Sequence, residues 1–237
     1  MDNAAFTETR NDIYLLVWLA YYNRFFKNLY VIHTQPGDPA PILEEARKRF
    51  TFTLVNDYPN PEYSYEVELN QMKDFQRKLL KSYQWVLFSH VDEIVVPDPD
   101  IYKDLNDYIK KCKKDYVFCT GMNLLHMWDE KGEPNESALD ISKPILKQRK
   151  YWWYEFGYNK PLLSRVPLRW IAGMHRIEEV NDSELHTLHD KDLYLIHLKQ
   201  ADHKIFGERI VHEKGYNWFY KEHDKRELIP KRFKKVF

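Results

Sequence analysis

Four consecutive apolar residues, Trp85-Val86-Leu87-Phe88, run directly into Ser89-His90-Val91-Asp92-Glu93. A strand that is apolar at every position has no face to offer to water. It belongs in a sheet whose two sides are both covered, the usual state of a parallel sheet flanked by helices. The acids that follow it then lie at the carboxyl edge of that sheet, where ligands bind in open α/β folds.

The surrounding periodicities agree. Ile13, Leu16, Val17 and Ala20 share a helical face behind the cap candidates Asn11 and Asp12. Leu29-Tyr30-Val31-Ile32 reads as a strand, Pro39 to Phe50 as a helix with Ile42, Leu43 and Ala46 inward, and Phe52-Thr53-Leu54-Val55 as a second strand. A helix over Tyr65 to Tyr83 carries the stripe Leu69, Met72, Phe75 and Leu79. Ile101, Leu105, Ile109 and Cys112 fall in phase on another helix, before the strand Tyr116-Val117-Phe118-Cys119. After Gly121 the alternation fails, and 123–169 reads as irregular substrate-binding loops, with one clear late strand at Leu193 to Leu198. Repeated strand–helix–strand units predict an α/β fold with a mainly parallel sheet flanked by helices. No linker or repeat interrupts the 237 residues, a length that suits a single domain with a sizeable core.

Charge narrows the partners. Lys+Arg and Asp+Glu number 36 each, so no global field draws in nucleic acid or an anionic membrane. The basic runs 110–114 and 231–235 read as a solvated helix face and a frayed tail; a weak peripheral membrane contact through Phe233 and Phe237 is the lesser reading. Cys112 and Cys119 form neither a disulfide framework nor a common zinc pattern. The apolar run Ile13 to Phe26 is too short for a bilayer and lacks the flanks of a signal peptide. The expectation is a cytoplasmic protein or a soluble domain of a longer chain. Aromatic residues reach 16%, and their rings suit both a core and the faces of sugars and nucleobases.

Two acids at a sheet edge need water, a partner or a cation. A hard cation such as Mg²⁺ or Mn²⁺ takes oxygen ligands and accepts substrate phosphates beside one or two protein carboxylates. Such an ion neutralises charge growing on a departing diphosphate. The bland alternative is that Asp92 or Glu93 caps the next turn or pairs with an arginine.

His90-Val91-Asp92-Glu93-Ile94-Val95-Val96-Pro97 resembles the aspartate-rich motif (D-x-D-E, an apolar pair, Pro) of GT-A glycosyltransferases of the family-2-like group. Thr9-Arg10-Asn11-Asp12 with Leu16 to Tyr22 resembles that group's opening stretch. Trp170-Ile171-Ala172-Gly173-Met174-His175, after Pro161-Leu162-Leu163, resembles a W-x-x-G-x-H element. Leu195-Ile196-His197-Leu198-Lys199 with Asp202 resembles a closing H-x-K-x-x-D element. The order and spacing agree over nearly the whole chain, with one departure: His90 stands where the motif has its first aspartate.

The resemblance implies a Rossmann-like GT-A domain, nucleotide-binding over roughly 1–120 and acceptor-binding and metal-completing over roughly 121–237. It implies a metal-assisted, inverting transfer of a sugar from a nucleoside-diphosphate donor to a hydroxyl of a glycan or glycoconjugate. Asp92 and His197 are the implied ligands of Mn²⁺ or Mg²⁺. Thr7, Thr9, Arg10, Asn11, Asp57, His90 and Lys199 are candidates for donor binding, with Lys160 and Arg165 as further phosphate contacts. Asp202 is the candidate general base, with Glu136, Asp140 and Glu155 as rivals, and His175 is a site residue as ligand or acceptor contact. Two other functions compete. One is a catalytically silent carbohydrate-binding or scaffold domain of the same fold, which His90 favours. The other is a sugar-phosphate nucleotidyltransferase, which the lack of an early glycine-rich loop (Gly37 is the first glycine) disfavours.

Overall fold

The first half of the chain alternates strand and helix much as its periodicity predicts. In the computed structural model, which describes residues 2–10, 12–35, 40–60, 62–127, 136–171, 173–181, 184, 187–202 and 226–235, β1 is Ala4–Thr9, α1 Tyr14–Tyr22, β2 Asn28–His33 and α2 Pro41–Arg49. β3 is Thr53–Val55, α3 Tyr65–Leu79, β4 Val86–Phe88, β5 Glu93–Pro97, α4 Leu105–Lys111 and β6 Tyr116–Leu125. Asn11, Gly37, Pro39, Ala172 and Phe237 lie outside the described residues.

Strands β3, β2, β1 and β4 lie side by side and all run parallel. Ala4, Ala5 and Phe6 pair with Val86, Leu87 and Phe88, and all six are buried. The prediction for the apolar run at 86–88 therefore holds: it is an internal strand, covered on both faces. A continuous core cluster includes residues from Ala4 to Phe233, with Trp18 and Trp170 among its largest members.

Helix α1 departs from its expected amphipathic face. Ile13 and Ala20, expected inward, are exposed, whereas Tyr14, Leu15, Trp18, Leu19, Tyr21 and Tyr22 are buried. The helix packs between α2 and β5, so most of its circumference is covered. Its polar tips hold the acidic segment in place. Trp18 Nε1 donates to Ser89 Oγ at 2.9 Å, Tyr21 Oη donates to the Val95 carbonyl at 2.9 Å, and Val95 N donates to Tyr22 Oη at 2.8 Å.

Helix α3 begins at the Ser64 cap, whose side chain accepts from Val67 N, and it stops at Leu79 rather than Tyr83. Met72, Phe75 and Leu79 face inward as expected, and so do Glu68 and Gln76. The Gln76 Oε1 accepts from Leu168 N at 2.8 Å, while its Nε2 is buried without a hydrogen-bond partner among the described residues. Ile101 lies before α4, which the Asp104 side chain caps, and is exposed.

The second half is more regular than its sequence implies. β6 continues through Gly121 to Leu125, followed by α5 (Ile145–Gln148), β7 (Tyr151–Tyr154), β8 (Pro161–Ser164), β9 (Trp170–Ile171), β10 (Arg176–Ile177), β11 (His189–His197) and β12 (Glu227–Leu228). β7 and β8 pair antiparallel with β6, and β8 also pairs antiparallel with β4. The sheet is thus mixed: the first-half strands β3, β2, β1 and β4 are parallel, and the second half adds antiparallel pairs and one parallel one. β11 runs parallel to β6 and antiparallel to β5, in a register that sets His197 beside both Asn123 and Glu93.

Gly121 lies where the alternation ends, inside β6 rather than after it. A Cβ at this position would meet Tyr158 Cβ at 2.5 Å and the Glu155 carbonyl at 2.6 Å. The missing side chain lets the 3₁₀ turn Phe156–Tyr158 lie directly on the strand. No helix among the described residues is long and apolar enough to cross a membrane.

Candidate active-site cleft

β1 and β4 end next to each other, and the chain after each opens onto a cleft of about 450 Å³. Glu8, Thr9, Arg10 and Asp12 contribute from β1 and beyond; His90, Asp92 and Glu93 come from the segment after β4. Tyr63, Tyr65 and Glu68 come from the start of α3, Tyr158 and Lys160 from the turn before β8, and His197 and Lys199 from the end of β11. Gly173 and His175 complete the wall. Backbone geometry is unusual at this rim: Tyr63, Gly173 and Met174 all have positive φ, at 47°, 69° and 57°.

Asp92 and His197 face each other, with Oδ2 3.7 Å from Nε2. On its other side His197 Nδ1 donates to Asn123 Oδ1 at 2.7 Å, which fixes the tautomer and leaves Nε2 as an acceptor turned toward the carboxylate. Burial holds the His197 imidazole well below its ordinary pKa, reinforced by Lys160, so it stays neutral. Burial and the neighbouring Glu93 raise the Asp92 carboxyl. Two acceptors facing one another at this separation suit a shared cation, because ligands about 2.1 Å from one ion stand roughly 3 to 4 Å apart. The residues present therefore fit the divalent ion expected from the sequence.

Glu93 is differently employed. Its carboxylate binds Lys160 Nζ at 2.5 Å and also accepts from His90 N at 3.1 Å, and both it and Lys160 are at most 2% exposed. Burial would raise its pKa, but Lys160 and His90 overcome this and hold Glu93 well below the carboxylate range. Lys160, expected as a phosphate contact, is thus committed to an internal ion pair. His90 lies between acids, with Nδ1 3.3 Å from Glu93 Oε2 and Nε2 3.4 Å from Glu68 Oε1. Burial alone would lower its pKa, yet Glu93 and Glu68 together lift it to about 10.

Arg10 lies over the Tyr63 ring at 4.4 Å and donates to the Asn60 carbonyl at 2.7 Å. His175 donates from Nδ1 to the Gly157 carbonyl, so its Nε2 edge lies over Gly173 in the cleft wall. Burial and Lys160 push His175 down to about 4. The Tyr158 ring packs on His197 with centroids 4.0 Å apart.

Of the residues singled out in the sequence, Thr9, Arg10, His90, Asp92, His175, His197 and Lys199 meet here. Asn11 lies outside the described residues. Thr7 is buried one step back in β1 and does not line the cleft, and Asp57 is exposed after β3, away from it. Asp202 also needs correction. It is 1% exposed, its Oδ2 accepts from Leu139 N and lies 3.4 Å from Arg149 Nη2, and it does not reach the cleft wall. Its rivals are likewise engaged in structure. Glu136 lies 3.9 Å from Arg149, Asp140 is paired with Lys143, and Glu155 accepts from Gly157 N. Arg165 is paired with Asp115 outside the cleft.

Sequence reasoning missed Glu8, Glu68, Asn123 and the tyrosines. One signal was readable: Glu68 occupies the inward stripe of α3, four residues before Met72, where an acid needs a reason. No family model matches this chain, and no curated protein matches it.

Proposed function

We propose that the chain transfers a sugar from a nucleoside-diphosphate donor to an acceptor hydroxyl, with a divalent cation held by Asp92 and His197. The observation that carries this reading is the facing pair Asp92 Oδ2 and His197 Nε2 at 3.7 Å, at the carboxyl edge of parallel strands β1 and β4. When bound, the cation supplies charge neutralisation for a leaving diphosphate. Arg10 and Lys199 line the same cleft and add fixed or mobile positive charge for phosphate oxygens. Tyr63 and Tyr65 offer rings against which a base or sugar face packs.

With Asp202 tied to Arg149, the acceptor's proton needs another destination. His175 is the candidate on the cleft wall, with Nδ1 donating to Gly157 and Nε2 left as an acceptor, and for it to take that proton the anionic donor has to lift its pKa from about 4. Inversion by direct displacement is the stereochemistry that the resemblance implies.

A silent sugar-binding domain is the second reading. The commitment of Lys160 to Glu93 at 2.5 Å favours it, since that lysine is then withheld from a phosphate. Thermal-shift titration with UDP and GDP, each with and without Mn²⁺, separates the two. Metal-dependent stabilisation by a nucleotide, lost in Asp92→Asn, supports the transferase. A response to saccharides with none to nucleotides in either protein establishes the sugar-binding domain instead.

A further inference from the structure

A second set of ligand-type side chains lines the same cleft and plays no part in the reading above. Glu8 near the end of β1, Glu68 on the first turn of α3 and His90 after β4 place one ligand atom each within 4.8 Å of the others. Three ligands about 2.1 Å from one ion stand roughly 3 to 4 Å apart, so the set closes by about 1 Å to hold one.

Two further observations point to a ligand. Glu68 is 3% exposed, and its Oε2 is wholly buried without a hydrogen-bond partner among the described residues. A buried carboxylate oxygen left bare is costly, and a cation relieves that cost. His90, for its part, is held as metal-binding histidines are held. Its Nδ1 faces Glu93 Oε2 at 3.3 Å, Glu93 is fixed by Lys160 at 2.5 Å, and Nε2 is turned toward Glu68. A carboxylate behind the non-ligating nitrogen orients the ring and raises its basicity toward a metal.

We propose that Glu8, Glu68 and His90 Nε2 form a second divalent-cation site, separate from the Asp92–His197 pair. Two carboxylates and one imidazole select a first-row transition ion of the Mn²⁺ to Zn²⁺ series over Mg²⁺ or Ca²⁺. Without an ion, the His90 ring lies between Glu68 and Glu93.

Equilibrium dialysis against Mn²⁺ and, separately, Co²⁺, followed by metal analysis, tests this on the whole chain. The expected result is two equivalents for the wild type and one each for Glu8→Gln, Glu68→Gln and Asp92→Asn, with far-UV circular dichroism unchanged. Glu8 is half-buried, so Glu8→Gln keeps the test decisive if Glu68→Gln fails to fold. One equivalent that survives Asp92→Asn and is lost in Glu8→Gln supports this site while removing the Asp92–His197 reading. Equal metal content in the wild type and Glu8→Gln overturns the proposal, as does a wild type that binds no metal.

Discussion

Asn123 Oδ1 accepts a hydrogen bond from His197 Nδ1 at 2.7 Å, although the two residues lie on different strands and only the parallel pairing of β6 with β11 brings them level. This contact sets which imidazole nitrogen faces Asp92.

Replacing that acceptor tests its role. Asn123→Ala removes the partner of Nδ1 and frees the ring to flip, so Mn²⁺ affinity at the Asp92–His197 pair falls by about 10- to 100-fold. Isothermal titration reads the change, and unchanged affinity would show that the hydrogen bond does not orient a ligand.

Asp202→Ala acts on stability. Arg149 Nε binds the Ala201 carbonyl at 2.5 Å and Nη1 binds the Ser137 carbonyl at 3.1 Å, so the guanidinium stays buried when Asp202 is lost. Breaking such a pair destabilises by roughly 3–5 kcal/mol. Urea denaturation should show this loss, while nucleotide and metal binding by the folded fraction stay near wild-type values. A large loss of turnover at wild-type stability would restore Asp202 as a catalytic group.

Gly121→Ala puts a methyl group onto backbone atoms of the Glu155 to Tyr158 turn, which cannot swing aside as a side chain would. Overpacking of this kind costs about 1–3 kcal/mol. The displaced Tyr158 ring also loosens its packing on His197. A melting curve, together with the His197 imidazole signals in an NMR spectrum, checks both effects, and a wild-type melting temperature would contradict the packing account.

His175 makes stability depend on pH. Its folded pKa is pushed down to about 4, mainly by burial and then by Lys160, whereas an unfolded histidine titrates near about 6.5. Between those values the unfolded chain binds a proton that the folded chain does not. Stability from this group is therefore complete above the unfolded pKa and is lost as pH falls toward about 4, by at most about 3 kcal/mol. His175→Gln should flatten this part of the profile. Urea midpoints at pH 4.5 and 7 for both proteins measure it, and parallel pH profiles would show that another group is responsible.

Much of the frame is legible in local pattern. The run at 85–88 identifies an internal strand because no other environment suits four apolar side chains on both faces. The periodic stripe of α3 holds for Met72, Phe75 and Leu79. The same kind of reasoning misjudged α1, since a helix covered on most sides carries no amphipathic signal and Ala20 is free to face outward. It also misjudged 123–169, where short antiparallel strands interrupted by a turn leave little periodicity to detect.

Sequence alone determined that His90 and Asp92 would emerge just past the carboxyl end of a buried strand, because strand burial and chain direction are local properties. Only the tertiary structure decided which distant groups join them. Glu8, Glu68, Asn123 and His197 converge through strand order and the register of β11 between β5 and β6, whereas Asp202, five residues beyond His197, turns away into a pair with Arg149. Which side chains share a space depends on crossovers and register between segments far apart in the chain, and short-range pattern carries no record of either.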